Sequence, residues 1–183
     1  ADLEVAWTYR AGEIDRRTQI QCNPIIKNGV LYGTAPQLKV FALEAATGRV
    51  IWEFDPKEYL TSAGIEFGMN ANRGVVLWED DGDSRVFVTL SHWLTCIDAE
   101  IGEAVASFGD GGRTSLKQGL GERSKDLHVI STTPGALFED LLIVCTRVSE
   151  NADAALPFSN VGERIFASSC RRSALFRSQR PMR

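Results

Sequence analysis

The chain has 183 residues, 44% of them hydrophobic, enough for one domain with a real core and too apolar for full disorder. A formal charge of −4 provides no basic field to neutralise phosphates, which speaks against a nucleic-acid partner, and no apolar run approaches the roughly 18 to 20 residues of a spanning helix. Four scattered cysteines (Cys22, Cys96, Cys145, Cys170) and two histidines (His92, His128) form no zinc-type spacing, so the cysteines read as small buried hydrophobes and any metal needs oxygen ligands.

The chain opens at Ala1 without Met and without a targeting sequence, as a processed chain or a fragment would. In chain order, Leu3–Tyr9 reads as the last strand of a preceding unit. Asn23–Thr34 reads as strand, Asn28-Gly29 turn and strand, a strong short-range hairpin signal. Val40–Glu44, a turn at Ala45–Gly48 and Arg49–Phe54 complete a four-stranded unit. The order returns as Gly74–Trp78, an acidic turn at Asp80–Asp83, Arg85–Leu90, Leu94–Asp98, and a turn through Gly102 into a fourth strand at Ala104–Phe108. A third copy begins at Thr133–Phe138, turns at Glu139-Asp140 and runs through Leu141–Thr146.

Repetition of four-stranded units at roughly 40 to 50 residues predicts an all-β fold, a partial β-propeller. Each sheet cannot bury both faces alone, so radial stacking supplies the core. Two complete units and parts of two others do not close a ring, which implies a fragment or a chain that needs a partner. A β-sandwich is the alternative, although it predicts no repeated Gly-turn-Trp spacing.

The unit endings are more specific than the strands. Ala42-Leu43-Glu44-Ala45-Ala46-Thr47-Gly48-Arg49-Val50-Ile51-Trp52 is similar to the tryptophan-docking motif of quinoprotein dehydrogenases. Cys96–Ala106 is a degraded copy that keeps Asp98 and Gly102 but has Ala106 where Trp is expected. With Trp52–Pro56, Asn72-Arg73-Gly74, Ser107-Phe108-Gly109, Thr132-Thr133-Pro134 and Val148–Asn151 in the same order, the chain resembles the pyrroloquinoline quinone-dependent alcohol and glucose dehydrogenases over about residues 1 to 155. The membrane-type glucose dehydrogenase branch is the nearest in these landmarks. The resemblance implies about three blades of an eight-bladed propeller, with the quinone near the axis and Ca²⁺ or Mg²⁺ bridging it to protein.

Position by position, the resemblance places Gln21 where the family commonly has a quinone-touching Glu, so the amide keeps an acceptor and loses a charge. Arg73 matches an arginine that reaches a quinone carboxylate or carbonyl, a geometry suited to a guanidinium fork. Thr132 matches a cofactor-contacting hydroxyl, and Glu150, adjoining Asn151, matches a metal-ligating carboxylate. Read without the resemblance, Arg73 is a blade-joining arginine, Thr132 is turn chemistry and Glu150 is a loop acid. The vicinal Cys-Cys pair of the methanol-oxidising branch is absent before Arg73, where Met69-Asn70-Ala71-Asn72 stands. Cys145 and Arg147 replace small residues found near the cofactor in relatives.

After about Pro157 the pattern fails and the charge turns basic, which divides the chain into a propeller part, 1–157, and a tail, 158–183, expected to be disordered or translated out of frame. The implied function is oxidation of a sugar or alcohol, with electrons passed to a membrane quinone or cytochrome, in the periplasm and with any membrane anchor outside this chain. A catalytic base has no counterpart here. The rival from another class is a non-catalytic propeller scaffold with tryptophan-ending repeats; Arg73, Thr132 and Glu150 in their expected places favour the enzyme.

Overall fold

The computed structural model describes residues 3–12, 19–62, 72–118, 129–148 and 164–170. Three antiparallel sheets follow one another along the chain. The first is a meander of β1 (Ile25–Lys27), β2 (Val30–Thr34), β3 (Val40–Glu44) and β4 (Val50–Phe54). The second repeats it with β5 (Val76–Asp80), β6 (Asp83–Leu90), β7 (Trp93–Asp98) and β8 (Arg113–Ser115). The third carries β10 (Ala136–Phe138), β11 (Leu141–Val148) and β12 (Arg164–Ser169) in order, with β9 (Val129–Ile130) paired to the far end of β11.

Turn chemistry sets the registers. Asn28 and Gly29 (φ 50° and 78°) and Asp81 and Gly82 (φ 42° and 85°) take the left-handed conformations of two-residue hairpin turns, so Lys27 faces Val30 and Asp80 faces Asp83.

Strand alternation then divides the apolar residues between opposite faces. Val40 and Ala42 join Trp52, Phe54, Val86, Val88 and Ile97 in a core between the first and second sheets. Phe41 and Leu43, on the other face of β3, pack with Trp7 and Tyr9. Phe87, Leu94 and Cys96 meet Val129, Leu142 and Val144 between the second and third sheets. The first and second sheets are thus buried on both faces by their sequence neighbours, the packing of propeller blades, while the third packs one face on the second and leaves Phe138, Leu141 and Cys145 exposed.

Tryptophan docking joins the blades. The Trp52 indole N–H donates to the Ala99 carbonyl at 2.9 Å, and its ring lies over Gly102, where a Cβ would sit 2.6 Å from the indole. Gly102 also has φ 75°, so both space and backbone conformation require glycine. The same arrangement occurs one blade earlier, where the Trp7 N–H donates to the Ala45 carbonyl at 3.1 Å with its ring over Gly48.

Several expectations are corrected. The fourth strand of the second blade is not Ala104–Phe108: Ala104 makes one bridge to Ile97, the chain then turns, and pairing resumes at Arg113–Ser115 against Trp93–Thr95. Without a tryptophan to dock, Ala106 lies exposed on that turn. Leu3–Tyr9 forms no ladder among the described residues, although Trp7 docks as a blade-ending tryptophan would. Within the tail 158–183, β12 makes a six-residue ladder with β11, and Cys170 is buried with its amide donating to the Asp140 carbonyl. Cys96 is also buried, but Cys145 is exposed on β11. A helix, α1 (Pro56–Ser62), follows β4, with the Asp55 carboxylate accepting from the Lys57 amide at 2.9 Å.

Two buried thiols give the fold an alkaline limit. Burial pushes Cys96 and Cys170 from an ordinary 9.0 up to about 12, opposed in part by the Arg85 guanidinium. Between those values the unfolded chain has released protons that the folded chain retains, so stability is complete below pH 9 and falls as pH rises. The expected slope is about 1.4 kcal/mol per pH unit for each thiol. Urea unfolding between pH 8 and 11 measures it, and Cys96→Ala should flatten the curve; parallel curves for the two proteins would remove Cys96 as a cause.

Candidate functional site

The inner strands begin where the candidate residues lie. Gln21 precedes β1, Arg73 precedes β5, and Thr132 stands between β9 and β10. Ile130 pairs with Arg147 and Ala136 with Ile143, so five residues on one side oppose three on the other and the inner strand of the third blade bulges through Ser131–Gly135. Pro134, with no N–H to offer a ladder, lies inside that bulge. Thr132 is therefore carried on irregular backbone.

Main-chain hydrogen bonds stitch Asn23, Arg73 and Thr132 across blades. The Asn23 amide donates to the Arg73 carbonyl at 2.9 Å, and the Arg73 amide donates to the Thr132 carbonyl at 2.8 Å. Residues more than a hundred apart in sequence thus meet at one end of the three inner strands.

Asn72 fixes the middle of this seam. Buried, it donates from its amide nitrogen to the Thr89 carbonyl at 2.8 Å and to the Thr89 hydroxyl at 3.2 Å, while its side-chain oxygen accepts from the Gly74 amide at 2.7 Å. A Cβ at Gly74 would meet the Asn23 carbonyl oxygen at 2.8 Å, which limits that close approach to glycine. Next door, the Thr34 amide donates to the Cys22 sulfur at 3.1 Å. The Asn72 clamp was not foreseen as a role in sequence; an Asn two residues before a Gly is its only local sign.

Between these anchors the Arg73 side chain is exposed, and among the described residues it has no ion-pair or hydrogen-bond partner. The exposed Gln21 amide donates to the Gln19 side-chain oxygen at 2.7 Å, and Thr132 is half-buried. Arg147, on β11, is exposed as well. Glu150 and Asn151 lie outside the described residues, and among the described residues no three His, Cys, Asp or Glu side chains cluster as metal ligands. An exposed guanidinium without a partner among the described residues suits an acceptor-rich, anionic planar ligand, and a polycarboxylate quinone has that chemistry.

The profile of the PQQ glucose/ethanol/alcohol dehydrogenase β-propeller domain matches residues 1–162. The chain belongs to that family. It is 36% identical over 102 residues to the quinohemoprotein alcohol dehydrogenase ADH-IIG of Pseudomonas putida, covering 55% of this chain and 13% of the relative. It is 27% identical over 172 residues to the quinoprotein glucose dehydrogenase A of Acinetobacter calcoaceticus, covering 82% of this chain and 21% of that protein. The fold superimposes on the crystal structure of the quinohemoprotein alcohol dehydrogenase of Comamonas testosteroni with a TM-score of 0.62 at 21% identity, covering 87% of this chain and 20% of that one. The chain therefore spans about a fifth or less of the length of these relatives. The all-β partial propeller expected from the repeats is the observed fold, and the family is the one indicated by the tryptophan-docking motif.

Proposed function

We propose that this chain supplies part of the quinone-holding end of a pyrroloquinoline quinone-dependent dehydrogenase that oxidises an alcohol or sugar. The observation that carries the reading is the hydrogen-bonded seam through Asn23, Arg73 and Thr132, which gathers three blades around a guanidinium that has no partner among the described residues. Arg73 binds a carboxylate or carbonyl oxygen of the quinone through its fork, while the Thr132 hydroxyl and Gln21 amide orient the ring edge. Glu150 contributes one oxygen ligand to Ca²⁺ or Mg²⁺. When bound, the quinone supplies the hydride-accepting carbonyl, and the metal supplies positive charge to polarise it.

Glucose as donor, a membrane quinone or cytochrome as acceptor and a periplasmic location belong to the same proposal. Relatives named for alcohol, glucose and glycerol all match, which supports a C–OH donor as the substrate class.

Titrating pyrroloquinoline quinone into the purified chain tests the binding half of this reading. Saturable absorbance change is the expected result, and no binding at millimolar quinone would overturn it. The same protein, given Ca²⁺, glucose or ethanol and an artificial electron acceptor, is expected not to turn over. It has no counterpart of the family's base, and general-base catalysis alone is worth roughly 10²- to 10⁴-fold. Quinone-dependent dye reduction by the chain would show that a base lies within it.

A further inference from the structure

A second polar group is buried on the face of β7 and β8 that packs against α1. Trp93 and Thr95 alternate on one side of β7 with Ile97, and Arg113 of β8 stands directly across from Thr95. Three polar atoms there are buried without a partner: the Trp93 Nε1, the Thr95 Oγ1 and the Arg113 Nε. An unsatisfied buried donor costs roughly 1–3 kcal/mol, so three on one face call for a ligand.

Among the described residues, the neighbours do not fill that role. The Arg113 guanidinium lies 5.4 Å from the Tyr59 ring centre and 5.3 Å from that of Trp93. Its side chain is only 12% exposed, and among the described residues its one ion-pair partner, Asp110, is 3.8 Å away with 90% of its own side chain in solvent. The Tyr59 hydroxyl accepts from Arg113 Nη1 at 3.3 Å and donates to the Gly111 carbonyl at 2.6 Å. Two N–H groups, a hydroxyl and a weakly compensated buried charge remain. A water there would satisfy the donors but have only Thr95 Oγ1 to receive its own two protons, whereas an anion accepts from all three and balances the guanidinium.

We propose that Arg113 Nε–H, Trp93 Nε1–H and the Thr95 hydroxyl hold one small monovalent anion of chloride size, in the seam between α1 and the β7–β8 ladder. The anion joins the helix that leaves the first blade to the outer strands of the second. Its binding to the folded state alone raises stability with anion concentration.

The test compares thermal unfolding of the 183-residue chain in sodium chloride and sodium gluconate at equal ionic strength. The expected result is a midpoint several degrees higher in chloride, rising with the logarithm of its concentration, with the difference abolished in Thr95→Val and in Arg113→Gln. Crystals grown in bromide should show an anomalous peak within hydrogen-bond distance of the three atoms, a readout that does not depend on either variant folding. Equal midpoints in the two salts together with a bromide-free, water-filled or empty site would overturn the proposal.

Discussion

Trp52→Ala is expected to remove most of the stability of the chain, lowering the unfolding free energy by about 3–5 kcal/mol against the roughly 5–15 kcal/mol of an ordinary domain. Three losses combine. The indole leaves a cavity in the core shared by the first two blades, where it packs near Tyr32 at 6.1 Å between ring centres. The Ala99 carbonyl loses its donor, and Gly102, shaped to accept the ring, faces a void. In a chain of this size the midpoint should fall by about 10 °C. Trp52→Phe keeps a ring but not the N–H, so it should cost less, with about 1 kcal/mol of the loss from the hydrogen bond. Trp7→Ala should also cost less than Trp52→Ala, because Trp7 is only half-buried. Thermal and urea unfolding of the three variants measure the order; a Trp52→Ala midpoint within a degree of the parent would mean that docking does not hold the blades together.

The second large effect is on ligand affinity rather than stability. Arg73→Ala should weaken pyrroloquinoline quinone binding by roughly 10- to 100-fold, the equivalent of one charge-assisted hydrogen-bonded contact. Both interblade hydrogen bonds of Arg73 come from its main chain, and its side chain is exposed and without a partner among the described residues, so the fold should change by less than about 0.5 kcal/mol. Arg73→Lys retains the charge without the planar fork and should recover only part of the affinity. Asn72→Ala should behave differently, since it removes the buried amide bonded to Thr89 and Gly74. That variant should lose stability and affinity together, separating the residue that touches the ligand from the residue that positions it. Isothermal titration beside urea unfolding reads both quantities for each variant, and an unchanged affinity in Arg73→Ala would remove that residue from the site.

The blades were legible because their signals are local. Asn28-Gly29 and Asp81-Gly82 specify two-residue turns, and the alternation of Val40–Leu43 specifies which side chains face which neighbour. The fourth strand of the second blade was misplaced because Ala104–Phe108 alternates like a strand. The glycine-rich stretch after it, with Gly109, Gly111 and Gly112 all at positive φ, carries the chain round before pairing resumes. β12 was missed for the opposite reason: the arginine- and serine-rich tail hides a short strand whose pairing is set by β11 rather than by its own pattern. Helix α1 had a readable start, Asp55-Pro56, but seven residues give little periodicity.

The site was legible only through resemblance. Nothing local in Asn23, Arg73 or Thr132 says that their backbones meet, since blade repetition and two interblade main-chain hydrogen bonds bring them together. The Trp93, Thr95 and Arg113 group was invisible for a related reason, because β8 had been expected nine residues too early and Arg113 was not placed across from Thr95.

Amide chemical shifts of the isotopically labelled chain, followed during addition of pyrroloquinoline quinone, test the central claim most directly. The account predicts that the largest saturable shifts cluster at residues 21–23, 72–74 and 131–133, the ends of three inner strands joined through Arg73. Shifts confined to any one blade, or centred on the outer strands β4 and β8, would contradict it.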